Sequence, residues 1–459
     1  MMRLGLSLPS AALYRQRSQP PAPETLGLLA RMSVPPSPAR RTQIDTLVKG
    51  LIAAGLWTKL DALYLTAAHD AQAARLNLVP WTGTVTNLLP NSTMQGANVG
   101  TNTTPTGWAV GGPPGITRSL VGLGTVGGLP YIDVRYSGTL NMSGFIAAIT
   151  FSPSLTGTPG GRYTHSGYFA LVAGSFGATT ASVNIQTLAA DGITTVDNFS
   201  GSEFFTGLNS TIGRRLVTAV AGGTAAYVVP RLRMVFGSSG SVVDFTLRIA
   251  APQLVRMDVP GNFVPTSGAA ASQVQTLARF DLSAVNSPLF TVDRGYSGNG
   301  TTSYLDTNAN PAQDFNRLSL NSATYGTWVP SEIAITSMSM GDAANLVLIQ
   351  PRNDTGAVAA RINDGGGITR SVASSVGLTA GDRAAAAARS LYKNGVELAS
   401  DTTGVSVAMP TELYLLRRGV TFYPGQVSAA FAGASLTAAQ HLALYSALRT
   451  YLIALGAAA

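Results

Sequence analysis

The chain contains no cysteine in 459 residues. Disulfide frameworks, thiolate metal sites and cysteine nucleophiles are therefore excluded at the outset. Histidine is almost as scarce: His69, His165 and His441 stand far apart, and no H-x-x-x-H spacing occurs. Charge is sparse as well, at 11% of residues. Low charge with a mean hydropathy of +0.21 raises the question of a membrane span. A span needs about 20 consecutive apolar residues. The best run, "LVKGLIAAGLW" from Leu47 to Trp57, is 11 long and contains Lys49. The hydropathy comes instead from short apolar strands and alanines, so a soluble chain without membrane insertion is expected.

Lysine is missing altogether between residues 81 and 276, where nine Arg face six Asp/Glu. Residues 1–80 hold nine Lys/Arg and four acids, and residues 277–459 hold twelve of each sign. A nucleic-acid surface gathers its basic residues on one face or stripe. Here only pairs occur (Arg40-Arg41, Arg214-Arg215, Arg417-Arg418), and no nucleic-acid partner is expected. The opening "MMRLGLSLPSAALYRQRS" has a proline-interrupted apolar patch and makes a poor secretory signal. It reads as a flexible or partner-bound tail.

What is present falls into zones. Residues 1–39 are punctuated by Pro20, Pro21, Pro23, Pro35, Pro36 and Pro38, which predicts extended chain with a short helix over Thr25–Met32. Residues 40–79 turn helical: Ile44, Leu47, Val48, Leu51 and Ile52 recur with the period of one helix face. Gly55 can end that helix. A second is predicted through Leu60, Leu63, Tyr64 and Ala67, and a third over Ala71–Leu76 with Asp70 as N-cap. Residues 80–272 read as β throughout, in short runs such as "GLPYIDVRYSG" and "VVDFTLRIAAPQL" bounded by turn residues. "GAAASQ" at Gly268–Gln273 reads as a linker. Residues 277–459 form a second β set. Its clearest hairpin is "RSLYKNGVELAS", because Asn394-Gly395 tolerates the positive φ that a type I′ turn requires. A last helix opens with a T-x-x-Q capping box at Thr437–Gln440 and aligns Leu444, Leu448, Tyr451, Leu452 and Leu455.

One stretch could signal nucleotide chemistry. "DRGYSGNGTTSYLDT" spaces three glycines as G-x-x-G-x-G. A phosphate loop needs a helix after the glycines, and a Walker-type loop needs a lysine. Here β-branched and aromatic residues follow Gly300 and no lysine does, so a turn feeding a strand is predicted.

The same stretch carries a resemblance. "GNGTTSYLDT", "SLYKNGVELA" and "AFAGASLTAAQHLALYSALRTYL" look like the landmarks of concanavalin-like, laminin-G-type β-sandwiches found in bacteriophage structural proteins. The helical zone before residue 80 looks like what precedes that sandwich in phage virion proteins. Between them, "NLLPNSTMQG…PTGWAVGG" and "LRIAAPQLVRMDVPGNFVPT" resemble the two ends of a carbohydrate-binding-module-type jelly roll. Where that family commonly has Glu, any residue and Gly, this chain has Val255, Arg256 and Met257. The resemblance implies a mainly β fold of two antiparallel β-sandwiches, a jelly roll and a concanavalin-like one, with a small helical N-terminal region and one C-terminal helix. It also implies a virion spike, fibre or tail appendage, assembled in the bacterial cytoplasm and released with the particle. Its helical region would dock on other virion proteins, and a homo-oligomer is expected. A purely structural decoration protein and a capsule depolymerase are the alternatives.

Catalysis on sugars asks for two opposed carboxylates. The jelly-roll acids sit mostly in turn contexts such as "ADGITT" and "TVDNFSG", where Asp is explained by turn chemistry, so no catalytic residue is assigned. Sugar binding asks for aromatic faces with a few convergent polar groups. The candidates are Trp108, Tyr131, Tyr136, Tyr163 and Tyr168, with Asp133, Arg135 and Asn184 as polar partners. Trp108 stands out because "PTGWAVGG" places it among glycine and proline. Asp133 and Arg135, two apart on one strand, should share a face. In the second sandwich Tyr296, Tyr304, Trp328 and Tyr423 are further candidates. No cofactor is expected, although Asp354 and Asp364 could hold Ca2+ at a sandwich rim.

Overall fold

The computed structural model describes residues 20–152 and 154–458. The opening eighteen-residue tail lies outside them. The chain forms two compact units: residues 80–281 with 308–316, and residues up to 79 with 282–307 and 317 onward. Among the described residues no helix is long and apolar enough to cross a membrane.

The unit of residues 80–281 is an antiparallel β-sandwich. One sheet runs Gly213–Val220, Arg162–Ser175, Val242–Val255, Leu129–Thr139, Ile116–Val126 and Gly100–Thr101. The other runs Thr195–Ser200, Thr180–Leu188, Tyr227–Val235, Ile146–Thr150 and Ala109–Val110, with Leu155–Thr156 also on Tyr227–Val235. Alternation sorts the central stretches of these strands, interrupted where β-bulges shift the register. Ile132, Val134 and Tyr136 point inward, as do Phe245, Leu247, Ile249, Val183, Ile185, Leu232 and Met234. Each large apolar side chain buried in this way contributes roughly 1.5–3 kcal/mol. The sandwich is tied at its ends by a two-stranded ribbon in which Trp81–Asn87 pairs with Ala271–Leu277. The expected linker at Gly268–Gln273 is therefore strand from Ala271 onward, because its polar residues pair with Thr86 and Val85.

The other unit is also a sandwich. Its first sheet runs Leu60–Tyr64, Ala429–Gly433, Ala323–Val329, Gly377–Arg383, Arg389–Lys393 and Val396–Asp401. Its second has seven short strands between Ser283–Val285 and Ile368–Ser371. The helices Pro38–Ala53 and Ala438–Ala454 share a core with Trp328, Leu378, Ala429 and Phe431 of the first sheet. The helical zone is thus part of this unit. Pro23–Leu29 is the short helix predicted from the proline-rich segment.

One predicted helix is a strand. Leu60–Tyr64 is buried on both faces and pairs with Ala429–Gly433. An unbroken apolar run suits a doubly covered strand as well as a helix, and length does not separate the two here. Asn77 secures the strand, accepting from Leu63 N and donating to Asp61 O. Asp61 is buried and accepts from the backbone N–H groups of Arg317 and Leu318. The third predicted helix shrinks to one 3-10 turn, Ala73–Arg75, whose N-cap position is Gln72 rather than Asp70; Asp70 accepts from Gln72 N and Ala73 N in the turn before it.

Three local predictions hold. Asn394 and Gly395 take φ of 50° and 77° between paired arms. Thr437 and Gln440 make both bonds of the capping box. Gly300, at φ 76°, lies in a turn between the strands Gly295–Ser297 and Tyr304–Asp306. Asn299 Oδ1 accepts from the N–H groups of Thr301, Thr302 and Ser303, so the donors that a phosphate would need are already engaged.

Candidate functional site

In the Leu129–Thr139 strand the inward positions are even-numbered, so Tyr131, Asp133 and Arg135 stand on the outer face of the first jelly-roll sheet. Register then builds a row across five strands: Gly124, Tyr131, Ala250, Tyr168 and Arg214. Tyr131 and Tyr168 are both half-buried, with Ala250 between them. Two interstrand spacings separate their backbones, about 10 Å. The small residues are required by this arrangement. A Cβ at Gly124 would lie 3.2 Å from the Tyr131 hydroxyl, and one at Gly122 would lie 2.9 Å from Asp133 Oδ2.

Charged groups frame the row. Arg248 Nε and Nη2 grip both oxygens of Asp133 at 2.8 Å, and the same guanidinium stacks 3.7 Å from the Tyr131 ring centroid. Next to it, Arg135 grips Asp244 in the same forked manner at 2.9 and 2.8 Å. Such planar pairs are the stronger class of ionic hydrogen bond. The bond from Arg135 holds the Asp244 carboxyl below its usual range, and the Asp133 bond raises Arg248. At the far end Arg214 lies over the Tyr168 ring at 5.3 Å and donates to Gly261 O and Ser166 Oγ. Burial lowers the pKa of Arg214, and its Nε has no partner among the described residues.

The remaining aromatic candidates do not belong to this face. Trp108 is buried, meets Phe151 edge-on at 4.8 Å and donates from Nε1 to Asn91 O. Its glycine and proline context is a loop that the indole anchors to the core. Tyr136 packs against Phe236 and Phe245, and burial pushes its hydroxyl far above the ordinary tyrosine range. Tyr163 is buried with its hydroxyl accepting from Thr158 N. These three rings have no face free to stack on a ligand. Asn184 is on the other sheet. In the second sandwich Tyr296, Trp328 and Tyr423 are buried, and Tyr304 packs against Tyr414 and Arg417.

The calcium candidate also changes. Asp364 Oδ2 accepts from Arg383 and Arg389, each at 2.7 Å, so its charge is already matched inside the protein. Asp354 accepts from Thr336 Oγ1. Among the described residues no three metal-ligating side chains gather.

Arg248, Asp244 and Arg214 join this face although the sequence does not single them out as candidates. "DFTLR" did carry the signal, since Asp244, Thr246 and Arg248 alternate with the core residues Phe245 and Leu247. With both carboxylates of the face locked to guanidiniums, the arrangement suits stacking and hydrogen bonding rather than proton transfer.

No family model matches the chain, and no curated protein matches it. Among solved structures, a chain from work on carbohydrate-binding modules of the β-sandwich superfamily is similar at 12% identity and a TM-score of 0.25, over 38% of this chain and 74% of that one. The baseplate tripod of bacteriophage Tuc2009 is similar at 12% identity and a TM-score of 0.26, over 50% and 90%. The CBM22-1–CBM22-2 tandem domain of Paenibacillus barcinonensis Xyn10C is similar at 11% identity and a TM-score of 0.27, over 76% and 98%.

Proposed function

We propose that this protein is an appendage subunit of a phage or phage-like particle that holds bacterial surface polysaccharide without cutting it. The supporting observation is the Tyr131–Ala250–Tyr168 row. Two half-buried rings about 10 Å apart, with a small residue between them, suit a sugar chain laid across the strands. Arg248, Arg135 and their acids offer hydroxyl partners beside the rings. The reading is non-catalytic because Asp133 and Asp244 are both committed to arginines. The helical zone and the segment before it attach the subunit to other virion proteins. Several copies per particle turn weak single contacts into firm attachment, by ~100-fold or more where geometry permits.

Co-sedimentation of the full chain with purified host capsule tests the reading. Binding with unshortened polymer is expected, and the Tyr131→Ala/Tyr168→Ala variant should lose it while keeping its melting temperature. Released oligosaccharide would make the protein a depolymerase, and indifference to capsule would make it a structural decoration subunit.

A further inference from the structure

The opposite outer face of the jelly roll carries a different constellation. Arg231 and Arg233 lie two apart on the Tyr227–Val235 strand and so point to the same side. Register sets Arg231 between Asn184 and Thr150, and Arg233 between Ser182 and Ala148. The neighbours are small or uncharged.

Arg231 is held without a counter-ion among the described residues. Its Nε and Nη2 donate to Asn184 Oδ1 at 2.9 and 2.7 Å, and Nη2 also reaches Asn198 Oδ1 at 3.1 Å. Asn184 is fully buried and is fixed in turn, its Nδ2 donating to Asn198 Oδ1, Phe199 O and Ser200 Oγ. The amide oxygens orient the guanidinium but supply no charge. Arg231 Nη1 has no acceptor among the described residues, and neither has any nitrogen of Arg233. The pKa of Arg231 is lowered by burial and next by the charge of Arg233, with no carboxylate opposing either effect. This contrasts with the first sheet, where Arg135 and Arg248 each have an aspartate. A half-buried cation pair left without an anion is costly unless a ligand completes it.

We propose that Arg231 and Arg233, on the platform of Asn184, Asn198 and Ser200, form an anion subsite that takes the carboxylate of an acidic sugar in a polysaccharide. The planar fork of Arg233 matches a carboxylate, Arg231 Nη1 adds two donors beside it, and the amides and hydroxyl suit ring hydroxyls. This rests on the reading of the jelly roll as a polysaccharide binder, but uses the other face. The substrate class becomes an anionic, uronic-acid-type polymer.

The test is titration of the full chain with polygalacturonate, dextran sulfate and dextran, alongside capsule co-sedimentation. Polygalacturonate should bind, weaken with rising salt, and weaken roughly tenfold in each of Arg231→Gln and Arg233→Gln. Arg233→Gln removes no protein hydrogen bond, so its fold is safe if Arg231→Gln disturbs the amide network. The Tyr131→Ala/Tyr168→Ala variant should still bind polygalacturonate. Equal binding by wild type and Arg233→Gln, no binding of polygalacturonate, or a preference for dextran sulfate or dextran would each overturn the proposal. Capsule binding that survives those outcomes leaves the tyrosine row standing. A wild-type chain that binds polygalacturonate but not capsule sinks the tyrosine row alone.

Discussion

In the C-terminal sandwich Arg383 is fully buried, donating to Asp364 and to the carbonyl oxygens of Ile362, Ala386 and Gly404. Arg389 shares Asp364 and adds Asp401. In the jelly roll Arg135, Arg231, Arg233 and Arg248 stand on outer faces instead. The charge counts follow the same division, with twelve of each sign after residue 276 and an excess of Arg between 81 and 276. Arg383 and Arg389 are thus internal fasteners around Asp364, whereas Arg231 and Arg233 meet no anion among the described residues. This contrast sets the Asp364 cluster apart from the outer faces of the jelly roll.

It can be broken most directly at the buried positions. Trp108→Ala should cost about 3–5 kcal/mol, since it empties a packed aromatic site and removes the bond to Asn91. Asp364→Asn should cost a similar ~3–5 kcal/mol by leaving the buried Arg383 guanidinium without its anion and Arg389 with Asp401 alone. Denaturant unfolding measures both. Near-wild-type stability of Asp364→Asn would mean that the C-terminal charges are not fasteners. Capsule binding lost by a stably folded Trp108→Ala would return the indole to the site.

Acid sharpens the contrast next. His165 is buried against Phe151 and donates from Nδ1 to Gln253 O; burial lowers its pKa to about 4. Its folded pKa is below the ordinary value, so between about 6.5 and 4 the unfolded chain binds more protons. Stability should therefore fall as pH drops through that window, by roughly 3 kcal/mol. Melting temperatures measured from pH 7 to 4 should show this slope in wild type and a flatter one in His165→Gln. The smallest effect is expected at the surface: Arg135→Gln breaks an exposed, solvent-screened fork and should leave the melting temperature close to wild type in the same melts. A clear drop would make that pair structural after all.

How much was legible can be argued strand by strand. Alternation in "YIDVRY" already implied that Tyr131 and Tyr136 cannot share a face, and Asp133 with Arg135 marked the odd positions as outward. Single-residue context groups all five aromatics, because the face each one takes depends on strand parity rather than on residue type. Trp108 misled for a different reason: glycine and proline identify a loop, but not whether its tryptophan points into the core. Arg248 was hidden because its partner Asp133 is 115 residues away.

The sequence by itself determined the features that close within a few residues. The Asn394-Gly395 turn, the Thr437 cap, the bend at Gly300 and the period-two sorting along central strand stretches all depend on backbone geometry and neighbouring side chains. Only the tertiary structure decided that Leu60–Tyr64 is a strand, that Trp108 is core, and that Tyr131 and Tyr168 stand in one row while Arg231 has no aspartate among the described residues. Those outcomes depend on which distant strand lies alongside, and register across a sheet is set by pairings that no local stretch contains.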